Sequence, residues 1–249
     1  GIDFAIIRIG YCYNNGALKL DSAFTQHIKG ALAAGLDVGI YLYSYATTVQ
    51  AAKRAAQEVI KAVKPYKLTY PIAFDIEYES IYTGGNKQTN TDICKAFLDE
   101  IEAAGYYAML YCSKDFLDSY LYPAQLTAYD KWIAQYASKC TCKHPYGIWQ
   151  YTGTGRVNGI VGDVDRDIAY KDYPSIIAKM NKQQNPQKFK LPYTVIVSNG
   201  NVQELSKRGY FAFTSENKCC VGKFATQQEA EITQKDLVAK GYSCNVGRW

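Results

Sequence analysis

The sequence has no run of about 18 apolar residues, so no segment of it reads as a membrane span. It has no basic-then-apolar opening of the secretory-signal kind and starts directly at Gly1 on strand-forming residues. Neither a P-loop nor a G-x-G-x-x-G is present, which argues against nucleotide chemistry. There are two histidines, His27 and His144, and neither has a second histidine at ligand spacing. Cys140-Thr141-Cys142 and Cys219-Cys220 lack a second pair at zinc-finger spacing, so no metal and no cofactor is expected. Together with Cys12, Cys94, Cys112 and Cys244, these cysteines read as reduced, partly buried thiols.

What is present describes an ordinary globular chain: 249 residues, 48% hydrophobic and 20% charged. That length fits one large domain with a small appendage. Disorder, collagen, coiled-coil and membrane classes are excluded. Charge is unevenly spread, with 19 Lys+Arg against 18 Asp+Glu in residues 1–185 and 9 against 5 in residues 186–249. The basic excess at the end suits an anionic polymer such as a cell wall or nucleic acid, and a plain soluble basic face explains it equally well. Of 23 tyrosines, 20 precede residue 186. A flat ring with a polar tip suits sugars, although many of these rings belong to core and rim packing.

Residues 1–179 alternate apolar strand runs with helical patterns. Strands are expected at Phe4–Ile9, Val38–Tyr43, Pro71–Glu77 and Tyr107–Tyr111, with helices over 21–34, 49–63 and 92–104. Later strands at 132–136, 147–151 and 164–168 follow without long helices between them. The pattern implies an α/β fold, a parallel sheet covered by helices and most economically a barrel. Residues 180–192 are polar, aperiodic and contain Pro186 and Pro192, which marks a linker. Residues 193–249 then read as a small α+β domain, with strands at 193–197, 219–224 and 243–246 and helices at 202–207 and 226–240. Thr226 is the expected N-cap of the last helix and Gly241 its stop.

Chemistry concentrates at Asp75-Ile76-Glu77, at the end of an apolar strand. Alternation puts both carboxylates on one face, ~7 Å apart at the backbone. Repulsion and partial burial then raise the pKa of one, giving an acid that stays protonated near neutrality. Paired carboxylates of this kind serve glycosidic cleavage. For an isolated D-x-E, an ordinary strand-end pair in salt bridges or caps is the commoner outcome. The surroundings shift that weighting. Tyr41, Tyr43 and Tyr45 share a strand face, Trp132, Gln135 and Tyr136 end another strand, and Trp149, Gln150 and Tyr151 a third, with Asp163 and Asp165 beyond. At the C-terminal mouth of a barrel these line one cleft.

With these residues the chain resembles the glycoside hydrolase family 25 lysozymes, the Chalaropsis-type muramidases. The matching segments are Phe4-Ala5-Ile6-Ile7-Arg8, Val38–Ser44, Ala73–Glu77, Trp132–Tyr136, Trp149–Thr152 and Gly162–Asp165, in an order that spans nearly all of residues 1–178. The resemblance implies an irregular barrel of eight strands and five helices. It also implies cleavage of the β-1,4 bond between N-acetylmuramic acid and N-acetylglucosamine. By position, Glu77 matches the family's general acid, Asp75 the carboxylate beside it, and Asp165 the acid of the later V-D motif. Tyr43, Tyr45, Tyr111, Gln135, Tyr136, Trp149 and Gln150 are the expected substrate contacts. Family members begin with a strand carrying a D-V-S motif, and none precedes Phe4 here. A shortened N-terminus, an open sheet edge and an incomplete site are therefore expected.

The tail segment Cys220–Ala230, with Leu237 and Gly241-Tyr242, resembles the second half of a sporulation-related repeat. That resemblance implies a βαββαβ fold that binds peptidoglycan glycan strands; another wall-binding module of similar size is the alternative. The combined expectation is a monomeric muramidase with a wall-binding module. It acts on the bacterial cell wall, either secreted or as a phage endolysin, without nucleic acid and without membrane insertion. A non-catalytic carbohydrate-binding protein on a lysozyme scaffold, or a chitinase, is the competing reading.

Overall fold

Apolar strands with Gly, Thr and Asn punctuation fold into parallel β/α units because each strand needs both faces covered. The computed structural model describes residues 1–81, 86–184, 193–208, 210–215, 218–224 and 227–248. It divides into two compact units, Gly1–Asn181 and Lys182–Trp249.

The larger unit runs β1 (Phe4–Cys12), β2 (Leu18–Leu20), α1 (Phe24–Ala33), β3 (Asp37–Ser44), α2 (Val49–Val63), β4 (Ile72–Asp75), α3 (Lys87–Ala103), β5 (Ala108–Ser113), α4 (Lys114–Tyr120), β6 (Asp130–Ala134), β7 (Ile148–Gly155), β8 (Val164–Ala169) and α5 (Tyr173–Gln184). Its sheet has the order β2-β1-β3-β4-β5-β6-β7-β8. The strands from β1 to β7 are parallel, while β2 and β8 run antiparallel to their neighbours. The expected barrel is therefore a curled, open half-barrel: β1 and β8 are not paired among the described residues. β2 covers only Gly10–Cys12 of β1.

Two cores lie on the two faces of this sheet. On the convex side α1, α2 and α3 bury Phe24, Ile28, Val59, Phe97 and Ile101 against Ile40, Leu42, Phe74 and Leu110. Phe74 and Phe97 stack at 4.5 Å between ring centroids. Each such side chain contributes ~1.5–3 kcal/mol on burial. α2 can lie close because its buried face is Ala51, Ala52, Ala55 and Ala56, and the Thr48 side chain accepts from Ala51 N at its start. On the concave side Tyr70, Ala73, Met109, Trp132, Ile148 and Tyr173 form a second cluster, with Phe4, Ile6 and Tyr41 against it. Inward residues of β1 thus alternate as Phe4 and Ile6. The register of β1 on β3 then shifts between Arg8 and Gly10. Gly10 adopts φ +144, and a Cβ there would meet Lys19 O at 2.1 Å, so the chain needs glycine at this close approach.

Several elements differ from the sequence expectation. α3 begins at Lys87 rather than 92, because Asn86 caps it by accepting from Thr89 N. α4 was not anticipated; Ser113 caps it directly off β5. α5 continues to Gln184, so residues 180–184, expected in the linker, are helical. Its Tyr173 and Ile177 bury one helical turn apart in the concave cluster. The remainder of that expected linker lies outside the described residues.

The smaller unit runs β9 (Tyr193–Val197), α6 (Val202–Lys207), β10 (Ala212–Ser215), β11 (Lys218–Phe224), α7 (Gln227–Ala239) and β12 (Cys244–Arg248). Its sheet is antiparallel with the order β10-β11-β9-β12. Val195, Val197, Leu205, Val221, Ala230, Leu237 and Tyr242 form its own core. β10 was missed in the sequence, and Thr226, the expected cap of α7, lies outside the described residues. Gly241 ends α7 at φ +87.

Candidate active site

Phe4–Arg8 of β1, the C-terminal ends of β3 and β4, Tyr111 of β5, Trp132 of β6 and Gln150 of β7 meet β8 around a cleft of about 980 Å³. Asp75, Glu77, Asp163, Asp165 and Asp167 line it, with Tyr41, Tyr43, Tyr111, Trp132, Gln150 and Arg8. It runs along the seam between β1 and β8 that a closed barrel would fill. A second hollow of about 410 Å³ adjoins it, lined by Glu77, Tyr78, Tyr111, Ser113, Lys114, Gln135 and Tyr136. Glu77 and Tyr111 border both.

β4 ends at Asp75, so Glu77 stands just beyond the strand rather than in it. Its backbone N donates to Ser80 Oγ at 3.0 Å, while Ile76 N continues the ladder to Tyr111 O at 3.2 Å. Ile76 packs into the convex core, and the two carboxylates stay together in the cleft. Asp75 is 3% exposed, and its Oδ1 has no hydrogen-bond partner among the described residues. Burial, then the charge of Glu77, raises its pKa well above the usual carboxylate range. Glu77 is raised by burial, then by Glu79 and Asp165. Asp165 is exposed at the rim and nudged upward by partial desolvation. A Cβ on Gly153 would stand 3.0 Å from Tyr136 Oη and 3.3 Å from Asp165 Oδ1, so these two groups flank that glycine.

The expected contact residues divide by position. Gln150 is buried, and its Oε1 accepts from Tyr111 Oη at 2.9 Å and Tyr136 Oη at 3.0 Å. Tyr43 lines the cleft and donates to Glu79 Oε2 at 3.3 Å. Gln135 lines the second hollow, with its amide turned to Thr141. Tyr45 and Trp149 are not among the lining residues of either space. Tyr45 packs at the rim on Tyr11 and Tyr43. Trp149 alternates to the face opposite Gln150 and donates Nε1 to Gln135 O at 2.8 Å.

Two cleft residues, Arg8 and Asp167, were given no role of their own in the sequence, while Trp132 was expected there as a strand-end aromatic. Asp167 shares the inward face of β8 with Asp165, as strand alternation from Asp165 implies. Trp132 Nε1 donates to Asp167 Oδ1 at 2.7 Å. The indole also meets the rings of Tyr41 and Tyr111 edge-on. Burial raises Asp167 to about 7, partly offset by that hydrogen bond. Asp167→Asn keeps an acceptor for Trp132, whereas Asp167→Leu strands a buried N–H. Urea unfolding of the Leu variant should show a loss of about 1–3 kcal/mol relative to Asn; equal stabilities would mean the bond does not hold Trp132. Because the folded pKa of Asp167 is raised, the stability it contributes is lost as pH rises through about 7.

Among the described residues no group of three or more His, Cys, Asp or Glu could hold a metal ion. No helix among the described residues is long and apolar enough to cross a membrane.

Solved structures with this architecture include the modular autolysin LytC from Streptococcus pneumoniae, 30% identical, covering 68% of this chain and 41% of that one at a TM-score of 0.58. The catalytic domain of the endolysin ply40 from bacteriophage P40 of Listeria monocytogenes is 24% identical, covering 70% and 85%, also at 0.58. The bacterial lysozyme from Streptomyces coelicolor shares the fold at 19% identity, covering 73% and 88%, at 0.58. The chain thus spans less than half of the autolysin's length. Comparison with curated proteins gives no match. The family model for glycosyl hydrolases family 25 matches residues 1–160, well over half of the sequence, and the chain belongs to that family.

Proposed function

We propose that this chain is a muramidase, hydrolysing the β-1,4 bond between N-acetylmuramic acid and N-acetylglucosamine in bacterial peptidoglycan. The observation that carries the reading is the place of Glu77, a raised-pKa carboxyl where two hollows join, beside the unpartnered Asp75 Oδ1. One sugar in each hollow puts the bridging oxygen at Glu77. The LytC autolysin is described in complex with a synthetic peptidoglycan ligand, which lends the substrate class support.

In this mechanism the Glu77 carboxyl gives its proton to the glycosidic oxygen as the C1–O bond breaks. The substrate's own 2-acetamido oxygen attacks C1 from the opposite side, and Asp75 accepts the amide N–H with its free oxygen. Although burial disfavours the Asp75 carboxylate, an N–H donor from the substrate favours it. Water then opens the cyclic intermediate and returns a proton to Glu77, giving net retention. Asp165, at the rim, stabilises the positive charge that develops at C1.

Turbidity loss of purified cell walls with analysis of the new reducing ends tests the reading. New muramic acid ends support it. N-acetylglucosamine ends would make the chain a glucosaminidase, and cleavage of chitin alone a chitinase. Wall binding without lysis would make it a binding protein on a lysozyme scaffold.

Residues 193–249 are the proposed wall-binding module, with residues 180–192 as the junction and 1–179 as the catalytic part. The β-α-β-β-α-β order and the basic excess of residues 186–249 support this. The enzyme then acts on the cell wall, either secreted or as an endolysin. Residues 182–249, expressed alone and shown folded by circular dichroism, should pellet with insoluble peptidoglycan, less so as salt shortens the ~8–10 Å Debye length. A folded fragment left in the supernatant while the full chain pellets would refute the module.

A further inference from the structure

The chain between β6 and β7 carries two thiols that the mechanism above leaves unused. From Cys140 to Lys143 half-buried and exposed residues alternate, the pattern of an extended chain with both thiols on its inner side. Both cysteine side chains pack on the convex core as free thiols, and Cys142 Sγ donates to His144 O at 3.6 Å. Thr141, between them, is exposed and gripped by Gln135. Gln135 Nε2 donates to Thr141 Oγ1 at 2.9 Å, and Thr141 N donates to Gln135 Oε1 at 2.8 Å. Gln135 lines the hollow beside Glu77. Its backbone is fixed separately, the N donating to Gln150 O at 3.0 Å and the O accepting from Trp149 Nε1 at 2.8 Å. Among the described residues, Thr141 alone hydrogen-bonds the side-chain amide and holds it on the wall of the hollow.

We propose that Cys140 and Cys142 form a redox modification site: their oxidation to a disulfide pulls Thr141 off Gln135 and weakens sugar binding in the hollow beside Glu77. The effect on sugar rests on the muramidase reading; the disulfide does not. Extended residues two apart stand ~7 Å apart along the chain. A disulfide instead brings Cα atoms to ~5.5–6 Å and Cβ atoms to ~4 Å. The bond therefore closes only if the chain puckers at Thr141, which turns its N–H and hydroxyl away from the Gln135 amide. The oxidant is a small-molecule disulfide of the glutathione class. The thiolate of one cysteine attacks a sulfur of that disulfide and expels one small thiol. The thiolate of the other then attacks the cysteine sulfur of the mixed disulfide and expels the second. The two cysteines have lost two electrons and two protons, and one small disulfide has become two thiols. A ring this tight is strained and readily reduced, so the mark is reversible. Gln135, once released, regains rotamer freedom that a bound sugar must quench again. The backbone of Glu77 is held by Ser80 and not by this segment, so bond cleavage itself is kept.

The test uses the full chain, either reduced or incubated with oxidised glutathione, and soluble peptide-free glycan strands. Peptide mapping after alkylation of the remaining thiols should find Cys140 linked to Cys142. Oxidation should raise KM roughly threefold to tenfold with kcat kept, and a reductant should restore it. The side-chain amide signal of Gln135 in NMR spectra, identified by its loss in Gln135→Ala, should shift with oxidation. Cys140→Ser and Cys142→Ser should keep the reduced KM and ignore the oxidant, with thermal unfolding checking that the fold is kept. A glutathione adduct, or a Cys112–Cys142 bond, in place of the expected link overturns the proposal. So does a link that leaves either KM or the Gln135 signal unmoved. If the chain cuts the strands in neither state, the muramidase reading falls, while the link and the Gln135 signal still decide whether oxidation frees that amide.

Discussion

Glu77→Gln should lower lytic turnover by roughly two to four orders of magnitude while the protein folds and binds wall as before. Glutamine keeps the shape and the hydrogen bond to Ser80 Oγ comes from the backbone N, so what disappears is the proton. The effect should also show in the pH profile. Burial raises Glu77, so the wild-type acid stays protonated above the pH at which an ordinary glutamate ionises. The high-pH limb of kcat/KM reports its deprotonation and should vanish in the variant's residual activity. Near-normal turnover in Glu77→Gln would move the acid role to another group.

Asp75→Asn should separate activity from stability. Turnover falls about a hundredfold to a thousandfold, because the amide no longer stabilises charge developing on the acetamide nitrogen. Stability moves the other way. The folded pKa of Asp75 lies above the unfolded value of about 3.9, so the fold holds the neutral form more comfortably than the charged one. The linked stability is fully present below that unfolded value and is lost as pH rises through the folded pKa. Asparagine escapes that loss. Its Tm should match the wild type near pH 3 and exceed it at neutrality, at about 2–4 °C per kcal/mol for a unit of this size. A Tm difference independent of pH would show that Asp75 ionises without cost.

The sequence carried most of this because its local and tertiary signals agree. α2 spans Val49–Val63 as expected, since Thr48 caps it and Pro65 lies just beyond. The later strands β6, β7 and β8 follow one another without long helices, again as the spacing implied. Asp75 and Glu77 share the cleft, although the strand stops between them and a 3-10 turn at Tyr78–Ile81 carries the chain away.

What escaped was set by contacts distant in sequence or by short elements. α4 has seven residues and no loop before it, too brief for a periodic signal. α5 begins within the Tyr173–Ile177 spacing, but its polar second half masked the pattern. Trp149 looked like a sugar platform by residue type, whereas alternation from Gln150 already placed it on the other face. The same alternation from Asp165 pointed to Asp167. Arg8 sat inside a quoted motif, yet only the fold shows that it lines the cleft.

The convex core has a chemical consequence. All eight cysteines are free thiols, and Cys12, Cys94 and Cys112, on β1, α3 and β5, are completely enclosed. Burial raises the pKa of each, so the reactive thiolate is suppressed as well as shielded. No covalent cross-link spans this core, and none of these sulfurs is reachable by an oxidant until the helices lift from the sheet. Within the larger unit, oxidation is expected to begin at the less enclosed Cys140 and Cys142, outside that sealed layer.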